Sequence, residues 1–145
     1  MIVIKNNFIP FGSYTAMNFF GIIFTKKEVN EKILNHEKIH SVQIIEMAIV
    51  AAIIITAIVY LTNSSYWWVL LSLPTYYVWY CIEYIFISVM HDKQVCAYKD
   101  ISFEEEAHNN DDNVTYLYER KPFAWFKYIA CESNHKDDRN CCNPK

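Results

Sequence analysis

The residues best placed to do chemistry are His36-Glu37-Lys38-Ile39-His40, an HExxH pattern. On a helix, positions i and i+4 project from one face, so both imidazoles can hold one Zn²⁺. Glu37 then lies about 100° round the helix and can reach a water beside the ion. Zinc would acidify that water and polarise a peptide carbonyl, with Glu37 as general base. Ile33, Leu34 and Ile39 support the helix and no breaker is near. The pattern has only three fixed positions, so the competing reading is two histidines on a solvated turn with a glutamate between them.

A zinc peptidase site needs a third protein ligand and an open position. Ser102-Phe103-Glu104-Glu105-Glu106-Ala107-His108 offers candidates. Neighbours on a helix diverge by about 100°, so only one or two of these glutamates can face one ion. Glu106 is the choice, with Glu104, Glu105 and His108 left open as ligands or as groups orienting a histidine. The same run also reads as a solvated acidic face. Gln43 shares the face of both histidines and either contacts substrate or a ligand or lies on the helix surface. Glu46 and Glu83 fall at or inside apolar runs, where carboxylates are usually paired or functional. For Glu83, a structural hydrogen bond between helices and a role in the site weigh equally. Tyr98 and Tyr116 are candidate oxyanion donors.

These groups must be positioned by long apolar elements. From Met47 to Leu61 only Thr56 is polar, a run of about 22 Å as a helix. Extended back through Ile44 it reaches a workable membrane span, and it ends in the turn composition Thr62-Asn63-Ser64-Ser65. A second run, Tyr66 to Met90, holds a single charge at Glu83 and a Pro74 that can kink it. The fold class expected is therefore mainly α: a transmembrane helical hairpin, helices at the cytoplasmic face and a short N-terminal extended or β segment. Trp67 and Trp68 suit an interfacial aromatic belt. A buried αα-hairpin of a soluble protein is the alternative, but little chain remains to cover it. The hairpin returns the chain to the side it left, so the histidine pair and the acidic run can meet. Lys5, Lys26, Lys27, Lys32 and Lys38 precede the first run and none lies in the outer loop, which places both termini in the cytoplasm. The start shows no signal-peptide pattern.

At 145 residues the chain is expected to be one membrane-embedded domain, 1–130, followed by a disordered Cys-containing tail, 131–145. A content of 53% hydrophobic residues excludes disorder for most of it, and two Gly with four Pro exclude collagen-like or linker-rich forms. A net charge of −3 argues against nucleic acid as partner. Five Cys without a framework read as reduced thiols. Phe8 to Thr25 suggests one or two short strands, and the first helix should begin near Asn30. Ser102, with Glu105 three residues on, should cap a helix from about Phe103. A further helix, Tyr116 to Tyr128, is expected at the membrane surface.

Several separated motifs carry a resemblance. They are Phe11-Gly12-Ser13-Tyr14-Thr15-Ala16-Met17-Asn18, then Asn35 to His40 with Gln43 and Glu46, then Tyr80 with Glu83-Tyr84. Ala97-Tyr98, Ile101 to Glu104, Glu106-Ala107, Tyr116-Leu117, Arg120 and Trp125 follow in order. Over roughly Phe8 to Tyr128 the chain resembles a family of short, uncharacterised bacterial membrane proteins, which implies residence in the bacterial inner membrane with two spans. Its HExxH and distant Glu-Ala are similar to gluzincin metallopeptidases. That likeness implies Zn²⁺, the ligands His36, His40 and Glu106, and Glu37 as base. Family members carry an aromatic residue where this chain has His108, so the resemblance does not imply His108 as a ligand.

The function expected is a minimal zinc metallopeptidase acting on a peptide or membrane-protein substrate at the lipid bilayer. Residues near Phe19 to Thr25 would supply an edge strand for substrate pairing, or a homo-oligomer would complete the cleft. A di-iron carboxylate protein is the alternative enzyme, since Glu37–His40 and Glu105–His108 are each ExxH and Glu46 and Glu83 would complete the set. A non-catalytic, metal-stabilised membrane scaffold is the third reading.

Overall fold

The computed structural model of the chain describes residues 2–5, 16–26, 30–90 and 97–129. The tail at 131–145, Cys96 and the first part of the expected extended segment, residues 8–15, lie outside these. Strands β1 (Ile2–Lys5), β2 (Ala16–Phe19) and β3 (Ile22–Thr25) form a sheet of order β1-β3-β2, with β1 parallel and β2 antiparallel to β3. The β2–β3 turn is Phe20-Gly21, both at positive φ, the conformation that two-residue hairpin loops favour. Asn18 Oδ1 accepts from the Gly21 amide at 2.9 Å and fastens the turn. Ile23 and Thr25 are buried, so β3 is the central strand. Among the described residues, the strand with an open edge beside α1 is β2, whereas the expectation placed that edge at Phe19 to Thr25.

Helix α1 (Glu31–Thr62) runs 32 residues, about 48 Å. It begins where the sequence indicated: Asn30 accepts from the Ile33 amide at 2.8 Å. It ends at Asn63 in the left-handed conformation, with Ser64 N donating to Val59 O. Beyond Ile44 most of its large apolar side chains are exposed, with Val59 buried and Met47 and Ile55 half-buried. Among the described residues, α1 is the one helix long and apolar enough by itself to cross a membrane.

The second apolar run is broken. A 3₁₀ helix, Tyr66–Ser72, packs back along α1, and α2 (Thr75–Met90) leaves it at a bend of 48°. Pro74 sits in the break, and its carbonyl accepts from Val78 N at 3.0 Å, so it opens α2 instead of continuing the 3₁₀ helix.

Helix α3 (Ser102–Asn110) follows the position expected but not the cap. Ser102 does not cap its own helix. Its amide and hydroxyl instead donate to the Glu83 carboxylate of α2 at 3.0 and 2.8 Å, so Glu83 is a structural hydrogen-bond acceptor at a helix N-terminus. The helix expected over Tyr116 to Tyr128 is two short pieces, α4 (Tyr116–Glu119) and a 3₁₀ turn (Ala124–Tyr128). Pro122 disfavours helical conformation at the residue before it, and Phe123 takes φ +58°. The core joins these elements: Phe103 stacks on Tyr76 and meets the edge of Trp125, each at 4.6 Å between ring centroids, with Ile44 and Ile101 beside them. This packing docks α3 against the start of the apolar stretch of α1.

Candidate metal centre

One turn apart on α1, His36 and His40 bring their Nε2 atoms to 3.0 Å. Glu104 of α3 closes the cluster, with Oε2 at 3.3 Å from His36 Nε2 and Oε1 at 3.5 Å from His40 Nε2. Bonds of about 2.0–2.2 Å around a tetrahedral ion would separate ligand atoms by about 3.3–3.6 Å. The cluster already has nearly that spacing. Glu104 is 4% exposed, and its Oε2 has no hydrogen-bond partner among the described residues. An orphaned, buried carboxylate oxygen beside two imidazole nitrogens fits a cation, and the N,N,O donor set suits Zn²⁺. Burial would raise the Glu104 carboxyl, but His40 and His36 outweigh it and hold the group well below the usual carboxylate range.

Glu106, the expected third ligand, is elsewhere. Two positions along α3 turn it roughly 200° from Glu104. There it accepts from Arg120 Nε at 2.6 Å, Tyr116 Oη at 2.8 Å and Gln43 Nε2 at 2.9 Å. Arg120 also grips Glu46 through both terminal nitrogens, at 2.6 and 3.0 Å. Glu46 and Tyr116 thus belong to an ion network behind the cluster, and Tyr116, expected as an oxyanion donor, donates its hydrogen bond to Glu106. Neither Glu46 nor Glu83 reaches the histidines, so the full di-iron ligand set is not assembled.

Gln43 links this network to the cluster. Its Nε2 donates to Glu106 Oε2 and to Phe103 O at 3.1 Å, which turns its oxygen toward His40 Nδ1 at 2.8 Å. His40 Nδ1–H then donates to Gln43, leaving the Nε2 lone pair for a ligand. Tyr80 Oη donates to Glu104 Oε1 at 3.0 Å and steadies the carboxylate.

Asp111, which the sequence reading did not single out, also joins the site. Asn35 donates to the carbonyls of Asn110, Asp111 and Asn113 at 2.9–3.1 Å and fixes the end of α3. Asp111 Oδ2 then lies 3.9 Å from His36 Nδ1 and 3.7 Å from His108 Nδ1. His36, His108 and Asp111 form a second group able to hold a cation. Burial, aided by His36, lowers the His108 pKa. The spacing of three between His108 and Asp111 was the available sequence signal.

Glu37 is 6% exposed and lines a cavity of about 610 Å³ that includes His36, His40 and Glu104 in its wall. Tyr98 lines the same cavity. Across it stands β2, tied to α1 where Asn18 Nδ2 donates to Glu37 O at 2.6 Å and Ser41 Oγ at 2.7 Å. No family model matches the chain, and neither the curated proteins nor the solved structures yield a match.

Proposed function

We propose that this chain is a minimal membrane-bound zinc metallopeptidase, with His36, His40 and Glu104 holding the ion and Glu37 as general base. The observation that carries this reading is the convergence of two imidazole nitrogens and one buried carboxylate within 3.0–3.5 Å, beside a glutamate that lines the adjoining cavity. Zinc bound there would supply Lewis acidity toward a peptide carbonyl and acidify water. Glu37 takes the proton of the attacking water and returns it to the leaving amine. Gln43 fixes the tautomer of His40, and Tyr80 fixes Glu104. The edge of β2, unpaired among the described residues, offers backbone groups for an extended substrate. Glu46 and Glu83 are committed to Arg120 and Ser102, which favours one zinc over a pair of irons.

The exposed apolar face of α1 supports membrane association. With the bent second run as the other span, the lysines before α1 favour the cytoplasmic side for both termini and the metal cluster, and the family resemblance implies the bacterial inner membrane for the hairpin. The test is the zinc content and peptide hydrolysis of the detergent-purified chain and its Glu37→Gln variant. Wild type should bind one zinc and hydrolyse peptides, and the variant should keep the zinc and lose turnover. Full turnover by Glu37→Gln would end the catalytic reading.

A further inference from the structure

The cavity beside the cluster carries information about what enters it. Beyond the ligands and Glu37, its wall includes Met17, Ile44 and five tyrosines, Tyr76, Tyr77, Tyr80, Tyr84 and Tyr98, with Asn18, whose amide is bonded to Glu37 O, Ser41 Oγ and Gly21 N. Three of the tyrosine hydroxyl oxygens are held beside protein groups. Tyr76 Oη lies 3.2 Å from His40 Nδ1, Tyr77 Oη accepts from Phe20 N at 3.0 Å, and Tyr80 Oη donates to Glu104. Those three residues add mainly ring surface to the wall. No lysine or arginine is among the described lining residues. Apart from the zinc itself, the charged side chains that a substrate carboxylate would meet in the wall are Glu37 and Glu104, of its own sign, and it would lose its hydration. An apolar side chain would gain by displacing water from aromatic and aliphatic surface. At about 610 Å³ the cavity falls in the range of about 300–1,000 Å³ typical of ligand pockets, roomy enough for a large side chain with its flanking backbone.

We infer that the substrate is a peptide carrying a bulky aromatic or aliphatic residue next to the bond to be cut, seated between β2 and the tyrosine row of α2 while its backbone follows β2. This rests on the metallopeptidase reading above. Met17 on β2 and Tyr84 on α2, each more than a third exposed, form the mouth of the pocket and set this preference without touching the metal ligands.

The experiment uses the zinc-loaded full chain in detergent and measures binding of N-acetylated glycine, leucine, phenylalanine and aspartate hydroxamates by calorimetry. The hydroxamate group is a bidentate zinc chelator common to all four, so differences report the side chain. Leucine and phenylalanine compounds should bind at least about tenfold more tightly than the glycine compound, and aspartate no more tightly than glycine. Tyr84→Ala and Met17→Ser, tested separately, should each reduce the phenylalanine-to-glycine affinity ratio severalfold. Equal affinity across the series, with the glycine compound binding one per zinc, overturns the inference and leaves the metal site standing. Failure of every hydroxamate to bind overturns the metallopeptidase reading, and this inference with it.

Discussion

Gln43 holds His40 by its Nδ1 at 2.8 Å, with the amide itself oriented by Glu106 and the Phe103 carbonyl. The bond sets which imidazole nitrogen is free for a metal, so Gln43 acts on the site without reaching it. Gln43→Leu removes the acceptor for Nδ1–H. Zinc affinity should fall by about 10- to 100-fold, as is usual when such outer partners are lost. Competition with a chelator of known affinity measures this, and circular dichroism reports whether the helices persist. Unchanged affinity would deny Gln43 that role.

The two glutamates of α3 should separate cleanly. Glu104→Gln should lose stoichiometric zinc, whereas Glu106→Gln should keep one ion per chain with weaker affinity. Thermal unfolding gives the same answer by another route. Ligand at about 100 times its dissociation constant adds about 2.7 kcal/mol to the folded state, so zinc should raise the melting temperature of wild type and of Glu106→Gln but not of Glu104→Gln. Zinc binding lost in Glu106→Gln and retained in Glu104→Gln would reverse the assignment.

Arg120 is 3% exposed along its side chain and lies between two carboxylates. Arg120→Met leaves Glu46 and Glu106 buried without their cation, a change that costs about 3–5 kcal/mol in comparable sites. Chemical denaturation of the detergent-solubilised protein should show a loss of that order. The triple variant Glu46→Gln, Glu106→Gln, Arg120→Met should recover a large part of it, because no charge is then stranded. A triple variant as unstable as the single one would mean that the charge pairing is not what the arginine provides.

Membrane residence has its own test. The exposed isoleucines of α1, among them Ile49, Ile53 and Ile58, should keep the protein in the membrane pellet through alkaline carbonate extraction. Release into the supernatant would contradict a spanning helix.

Local signals in the sequence were sufficient for some of this architecture. Asn30 and Asn63 mark both ends of α1, and the spacing of His36 and His40 fixes their common face. The choice between Glu104 and Glu106 was not local. Both lie on α3, and which one faces the histidines depends on how Phe103 packs between Tyr76 and Trp125, contacts distant in the chain. The cap of α3 escaped for the same reason, since Glu83, 19 residues away, displaced Ser102 from the expected role. The break between α4 and the final 3₁₀ turn was legible in Pro122, which the expectation of one helix over Tyr116 to Tyr128 left out of account. The ion network of Glu46, Glu106 and Arg120 required knowing that residues 74 apart meet.

Anomalous X-ray diffraction at the zinc edge, on crystals of the zinc-loaded protein, bears most directly on the central claim. One peak is expected at about 2.0–2.2 Å from His36 Nε2, His40 Nε2 and a Glu104 oxygen. A peak held only by His108 and Asp111, or no peak in zinc-saturated crystals, would contradict it.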